Sequence, residues 1–241
     1  MLVLNQRKPP FNDPRVRRAL ALAIDRNVLT DRILRKTALP AYTLVPVAVS
    51  RYKAPTPDYA SATMPARQAE ARKLLAAAGY GPGKPLRFTM QYFTEARTRT
   101  LAVAMVSMWR AVGVNCELIN KDLGSVISSV RAANYEVSLY AWFSSFDDPS
   151  TFLDIVTTKP RGSFTGYSNP AFDAAFGTAN STAVAAERQV ALARAESIAL
   201  ADTPVIPLFT NINQRLVARR VSGWQDNPRG ANLSRYLSLG R

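Results

Sequence analysis

Two hydrophobic periods alternate along the middle of the chain, and this alternation limits the folds that it can adopt. Apolar residues recur at helical spacing in some segments and at every second position in others, as they do in strands. Beginning with a helix, the alternating segments cover residues 65–78, 86–92, 101–112, 114–118, 123–133 and 135–142. Because the joints between them are short, we expect right-handed crossovers and a mainly parallel sheet flanked by helices, which is an α/β fold.

Three helix starts share one pattern, in which Asn or Asp precedes proline. The pairs are Asp13-Pro14, Asp148-Pro149 and Asn169-Pro170. The side-chain oxygen of the first residue can accept a hydrogen bond from the first turn, where the missing N–H of proline is tolerated. Further predicted elements are an Ala-rich helix at 183–201 and short strands at 205–210 and 215–218. The segment 37–64 shows neither period, and we expect it to be irregular.

The chain contains no histidine and one cysteine, Cys116. Ser-His-Asp catalysis, Cys-His catalysis and His-ligated zinc or haem all need an imidazole, so these classes are excluded. One cysteine cannot form an intramolecular disulfide, and Cys116 is interpreted as a small buried apolar residue of a strand. We therefore expect a protein that is not an enzyme and that uses no cofactor and no metal.

The formal charge is +14, from 31 Lys and Arg residues against 17 Asp and Glu residues. A charge of this sign can attract nucleic acid. The aromatic residues do not alternate with the basic ones as a platform for stacked bases requires, so a solvated basic surface is favoured. We therefore expect that nucleic acid is not a partner of this protein. The alternative hypothesis is a basic nucleic-acid-binding domain.

The beginning of the chain carries no targeting pattern. Met1 to Pro10 lack the basic, apolar and small-residue sections of a signal peptide. No segment approaches the run of about 18 apolar residues that a membrane-spanning helix needs. We therefore expect neither a signal peptide nor a transmembrane helix in these 241 residues.

Aromatic and hydroxyl side chains follow the third predicted strand and lead to the helix start at Asp148-Pro149. The end of a parallel strand is where open α/β sheets bind ligands, and such side chains would supply stacking surfaces and orienting polar groups. In the alternative interpretation Trp142 and Phe146 belong to the core. The candidate ligand-binding residues are Tyr140, Trp142, Phe143, Ser144, Ser145, Phe146 and Asp147.

Seven strings along the chain resemble, in the same order, segments of one known family. They are NQRKPPFNDPRVRRALALAIDR from Asn5, ALPAY from Ala38 with Pro46, ARKLLAAAGY from Ala71, WRAVGV from Trp109, residues 140–153, GYSNPAFD from Gly166, and residues 204–217. The family is that of bacterial extracellular solute-binding proteins of the oligopeptide, dipeptide and nickel type, which serve ABC importers. The Pro-Ala-Tyr stretch most resembles the oligopeptide-binding members.

The resemblance implies a two-lobed periplasmic-binding-protein fold of type II, of which this chain holds only the C-terminal part. Residues 1–215 would form the second, ligand-binding lobe. Residues 216–241 would return to a missing N-terminal lobe, so we expect this segment to be displaced, mobile or packed on another copy. The implied partners are a peptide or other small solute and the membrane permease subunits of an ABC importer. The full-length protein would be periplasmic, or extracellular and membrane-associated.

The family motif at the cleft reads Trp-x-x-Asp-Tyr-x-x-Pro, and its acidic residue receives the α-amino group of the ligand. Trp142, Phe146 and Pro149 match this frame, but Ser145 stands at the acidic position. A hydroxyl replaces only part of a charge-assisted hydrogen bond to a buried ammonium. Either Asp147 turns into the cleft, or the ligand is a solute other than a peptide with a free amino terminus.

Overall fold

The computed structural model describes residues 1–49, 51–158, 164–227 and 230–240. The strands in these ranges are β1 (Leu2–Leu4), β2 (Ala38–Pro40), β3 (Leu86–Phe93), β4 (Val114–Lys121), β5 (Val137–Leu139), β6 (Val205–Ile206), β7 (Phe209–Asn211), β8 (Val221–Ser222) and β9 (Ser238–Leu239). The α-helices are α1 (Pro14–Ala23), α2 (Met64–Ala77), α3 (Ala96–Arg110), α4 (Leu123–Arg131), α5 (Ser150–Leu153), α6 (Pro170–Ser181) and α7 (Ala185–Asp202). Short turns of π-helix at Val28–Ile33 and of 3-10 helix at Asp154–Val156 and Ser234–Tyr236 complete the regular structure.

The main sheet has the strand order β4-β3-β5-β1-β6 within the described residues. β3 is parallel to β4 and to β5, whereas β1 is antiparallel to both β5 and β6. Since β1 opposes both of its neighbours, the other strands of the sheet all run in one direction. The mainly parallel α/β sheet expected from the sequence is confirmed.

The short strand β1 divides the core into two parts. Leu2 and Leu4 pack into a cluster with α1, α2 and α3 that includes Trp109, while Val3 packs into a second cluster with α4 to α7 that includes Phe172. Successive side chains of a strand point to opposite faces of the sheet, so the two clusters lie on its two sides. Both faces are covered by helices, as a mainly parallel sheet requires.

The local signals for helix ends are confirmed. The side-chain oxygen of each predicted cap accepts from the backbone nitrogen two residues later, at 2.8 Å for Asp13, 2.9 Å for Asp148 and 2.9 Å for Asn169. Gly79 and Gly113 follow α2 and α3 with φ of +86° and +87°, the left-handed conformation that favours glycine.

Two of the predicted strands differ from the structure. Residues 205–210 form two strands rather than one, because Pro207 has no N–H to donate and β7 leaves the main sheet to pair with β2. The predicted strand at Arg215–Ala218 is wrong, since these residues are exposed and lie in no strand. The nearest strand is β8, which pairs with β9.

The described residues of 216–241 are 216–227 and 230–240, and none of them is buried. They belong to neither core cluster. The division into a lobe at 1–215 and a segment that returns to a first lobe stays a prediction. Among the residues described, no helix has the length and apolar character needed to span a membrane.

Candidate ligand-binding cleft

A cleft of about 720 Å³ opens where the carboxyl ends of β3 and β5 meet the chain that follows β6. Its walls come from the segments 41–49, 93–101, 139–147 and 207–213. Parallel strands bring their carboxyl ends to one edge of the sheet, and the loops that follow them meet there. The fold thus places the cleft at the edge where the sequence predicts a site.

All the candidate residues line this cleft. They are Tyr140, Trp142, Phe143, Ser144, Ser145, Phe146 and Asp147. The predicted strand at 135–142 ends earlier than expected, at Leu139. The candidate residues therefore form a loop beyond the strand, and this brings them together on one wall.

The loop is fixed to the helix that follows it. The indole Nε1 of Trp142 donates to the Thr151 carbonyl at 2.8 Å, and Ser144 Oγ lies 2.9 Å from Thr151 Oγ1. The rings of Tyr140 and Trp142 lie 5.6 and 5.8 Å from the ring of Phe164. Donation from Ser144 Oγ to the Phe146 carbonyl closes the turn between them. These contacts hold the loop so that its remaining side chains face solvent.

The free surface of the loop is aromatic with a polar centre. Phe143 is 78% exposed and Phe146 is 55% exposed, whereas Trp142 is half-buried. The interpretation of Phe146 as a core residue is therefore wrong. Ser145 is exposed, and its hydroxyl has no hydrogen-bond partner in the part of the chain that the structure describes. Exposed rings at a cleft offer apolar area that a ligand or another domain can cover.

The adjacent carboxylates Asp147 and Asp148 have different surroundings. Asp147 lines the cleft. Asp148 receives two hydrogen bonds from the Arg188 guanidinium, at 2.7 and 2.8 Å, besides the bond from Ser150 N. Burial alone would raise the pKa of Asp148, but the hydrogen bonds from Arg188 and Ser150 outweigh it and hold the pKa below its usual value. Asp148 is thus a structural anchor between the cleft loop and α7.

Sequence reasoning missed the charged residues of a second wall. Glu95 and Arg97 line the cleft next to the carboxyl end of β3. The Arg97 guanidinium is within hydrogen-bond distance of Thr37 Oγ1 at 3.3 Å and of Asn211 Oδ1 at 3.4 Å. The rule that places ligands at the ends of parallel strands applies equally to β3, so the predicted strand at 86–92 carried the signal for them.

Behind the cleft, the buried guanidinium of Arg26 joins two of its walls. Its Nε donates to the carbonyls of Ala41 at 2.8 Å and Pro207 at 2.9 Å. The rings of Tyr42 and Tyr59 lie 4.6 and 5.5 Å from its central carbon. Burial lowers the pKa of Arg26, which reflects the free energy needed to remove a cation from water. Carbonyl groups and ring faces offset this penalty.

Glu196 of α7 binds Val45 and Tyr52 from the interior in a similar way. Its buried carboxylate accepts from Val45 N at 2.9 Å and from the Tyr52 hydroxyl at 2.6 Å. Burial raises the pKa of Glu196, although these hydrogen bonds oppose the shift. The irregular segment is therefore held in place by polar groups that it contacts in the interior.

Cys116 and groups of acidic residues are two further places where chemistry could occur. Burial raises the pKa of Cys116 to about 12, so its thiol is not poised as a nucleophile. Within the described ranges, no group of three or more His, Cys, Asp or Glu residues could hold a metal ion. The surface of the cleft is made of aromatic rings, hydroxyls, amides and a few charges.

The fold is that of the type II periplasmic-binding-protein architecture. The sequence profile of the bacterial extracellular solute-binding proteins, family 5 Middle, matches residues 1–164. The chain belongs to this family.

Several curated proteins are similar along nearly the whole chain. The periplasmic murein peptide-binding protein MppA of Escherichia coli is 31% identical over 237 residues, which are 98% of this chain and 44% of that protein. The periplasmic oligopeptide-binding protein OppA of Haemophilus influenzae is 33% identical over 225 residues, covering 92% of this chain and 42% of its own length. The probable deoxycholate-binding periplasmic protein YgiS of E. coli is 31% identical over 237 residues, again 98% and 44%.

The solved structure of MppA in its unliganded open form superposes with a TM-score of 0.91 at 30% identity, covering 99% of this chain and 47% of that one. The chain therefore spans less than half the length of MppA, OppA and YgiS.

Proposed function

We propose that this chain is the ligand-binding second lobe of a substrate-binding protein for an ABC importer and that its cleft captures oligopeptides. The observation that carries the proposal is the cleft wall formed by 140–147, in which Phe143 and Phe146 are exposed beside hydroxyl groups. Family membership and the peptide-binding names of MppA and OppA support a peptide as the ligand. The comparisons do not favour the nucleic-acid-binding alternative.

In this proposal residues 1–215 form the second lobe, and 216–241 return to a first lobe. None of the described residues of 216–241 is buried, which is consistent with a segment that packs on a first lobe. The periplasmic names of the relatives support a periplasmic location. The permease subunits of the importer would be the partners on the membrane.

The mechanism is binding without covalent chemistry. One lobe supplies half of the contacts to a ligand, and closure of two lobes around it would create the surface that the permease recognises. A ligand shifts the equilibrium toward the closed form only by its differential affinity for that form. Because the lobe alone cannot close, we expect it to bind peptides weakly.

A solute other than a peptide is the second candidate, and Ser145 favours it. The family acid at this position would receive an ammonium group, and Ser145 has no charge. YgiS, at 31% identity, is named as a probable deoxycholate-binding protein. An apolar solute could use the exposed rings of Phe143 and Phe146 without needing a carboxylate at position 145.

The proposal is tested by titrating the ¹⁵N-labelled chain with trialanine and, separately, with deoxycholate, and by following amide resonances. Oligopeptide capture predicts that trialanine shifts resonances of residues 140–147. Phe143→Ala should weaken binding several-fold, because an exposed ring of the wall is lost. Tyr236→Ala, which removes a 64% exposed ring outside the cleft, is the matched control and should have no effect.

Shifts with deoxycholate alone would favour the second candidate. The absence of shifts near the cleft with either probe would contradict both candidates. Micromolar affinity of the lobe alone for trialanine would contradict the need for a second lobe.

A further inference from the structure

The cleft has a charge opposite to that of the rest of the chain. The chain carries +14, yet the described residues that line the cleft include two acidic side chains, Glu95 and Asp147, and one basic side chain, Arg97. Met1 also lines the cleft, but burial lowers the pKa of its amino group to about 5, so two carboxylates against one guanidinium leave a net charge of −1 at pH 7. Near these carboxylates the local field favours a cationic group of a ligand.

Glu95 is the carboxylate of this cleft that performs no structural role. It occupies the cap position before α3, but its side chain accepts no hydrogen bond from the first turn. By contrast, Asp13, Asp122 and Asn169 all cap their helices with side-chain hydrogen bonds. Within the ranges that the structure describes, the Glu95 side chain has no hydrogen-bond or ion-pair partner, and it is exposed. A ligand can therefore reach it without breaking an existing contact.

The neighbouring basic residue does not neutralise Glu95. Arg97 turns its guanidinium to Thr37 and Asn211, where its contacts are 3.3 and 3.4 Å long. The positive end of the α3 dipole lies next to Glu95 and favours a negative charge there. Glu95 is thus a fixed anionic group on the wall that faces solvent in the cleft.

Ser145 and Glu95 line the same cleft from different strands, one beyond β5 and one directly after β3. We propose that Glu95 determines specificity by receiving the cationic group of the ligand, an alkylammonium or guanidinium, in place of the acid that position 145 lacks. The inference rests on the proposed function. It adds that the ligand of the same cleft carries a cationic group. Charge-assisted hydrogen bonds are about twice as strong as neutral ones, so one such bond suffices for a measurable preference.

Three peptide probes test the inference with the ¹⁵N-labelled 241-residue chain. Trialanine amide carries only an α-ammonium, acetyl-Ala-Lys-Ala-amide carries only a side-chain ammonium, and acetyl-trialanine-amide is neutral. We expect at least one cationic probe to bind about five- to tenfold more tightly than the neutral probe. The cationic probe that binds more tightly shows whether the cleft receives an α-ammonium or a side-chain ammonium.

The variant Glu95→Gln should abolish the preference of the chain for the cationic probes over the neutral probe. Glu117→Gln is the matched control, because Glu117 is also an exposed carboxylate but lies on β4 outside the cleft. The variant Glu117→Gln should prefer the cationic probes over the neutral probe as strongly as the unmodified chain does.

Equal affinities of all three probes for the unmodified chain, or a preference that survives in Glu95→Gln, would overturn the role of Glu95 while peptide binding itself stands. If none of the probes shifts resonances of the cleft, the proposed function fails and the inference fails with it.

Discussion

Replacing Arg26 with methionine should destabilise the lobe, because the guanidinium holds two cleft walls from within. Arg26→Met removes the hydrogen bonds to the carbonyls of Ala41 and Pro207, which are 2.8 and 2.9 Å long. It also removes two longer ones, both 3.3 Å, to the carbonyls of Ala21 and Ile24. The Pro207 carbonyl is buried, and an unsatisfied buried acceptor costs about 1–3 kcal/mol. Loss of the cation from beside the rings of Tyr42 and Tyr59 adds about 1–2 kcal/mol.

An opposing contribution limits the effect. Methionine has no charge to desolvate, and desolvation of a buried ion is a penalty of several kcal/mol that this substitution relieves in part. The free energy of unfolding should therefore fall by about 2–3 kcal/mol, at the lower end of the range of about 2–5 kcal/mol that the lost contacts set.

Urea unfolding measures this change through the fluorescence of Trp109, which is fully buried and donates to the Leu20 carbonyl at 3.1 Å. With a slope of about 2 kcal/mol per molar urea, the midpoint should fall by about 1–1.5 M. Arg32→Met is the matched control, since Arg32 is exposed in the neighbouring turn. If the midpoints of the two variants agree, Arg26 does not hold the walls together and the reasoning is refuted.

Three further variants probe the cleft and its supports. Ser145→Asp should strengthen binding of peptides with a free amino terminus about fivefold or more, and equal affinity for Ser145→Asp and Ser145→Asn in a calorimetric titration would rule out the role of position 145. Because burial raises the pKa of Glu196 in the folded chain, stability should rise as the pH falls from 7 toward the ordinary value of 4.5. Thermal unfolding should show this gain in the unmodified protein but not in Glu196→Gln. The pKa of Asp148 is held below its usual value of 3.8, so Asp148→Asn should lower the free energy of unfolding by about 1 kcal/mol at pH 7, measured in urea. This loss should shrink as the pH falls below 3.8. A loss that does not depend on pH would mean that the ion pair of Asp148 with Arg188 contributes nothing.

The sequence predicted the parts of the fold that depend on local periodicity. The long strands β3 and β4 and the helix α3 between them carry enough apolar residues at regular spacing to establish their periods. β1 has only three residues, too few to show a period, and its partners Leu139 and Ile206 are distant in sequence. Its antiparallel position in the middle of the sheet follows from tertiary packing, which local patterns do not report.

One wall of the cleft was predictable from the residues after β5, and the wall after β3 was missed. The aromatic residues after β5 form a group at the end of a predicted parallel strand, and the family motif lies in the same segment. Glu95 stands alone after β3, where a single carboxylate before a helix is typical of a cap. Only the structure separates the two roles, because it shows that the Glu95 side chain makes no cap hydrogen bond and lines the cleft.

The central position of β1 also has a consequence for how the lobe is assembled. Leu2 pairs with Leu139 on one side and with Ile206 on the other, so the middle of the sheet joins residues from both ends of the lobe. During synthesis β1 is made before the other strands of its sheet and has no strand to pair with until β5 and β6 are made. Contacts of such long sequence separation slow folding, because the loop entropy is lost before the contacts form. We expect refolding of the lobe to be slow and highly cooperative, with β1 and β6 gaining hydrogen-exchange protection in the same late step.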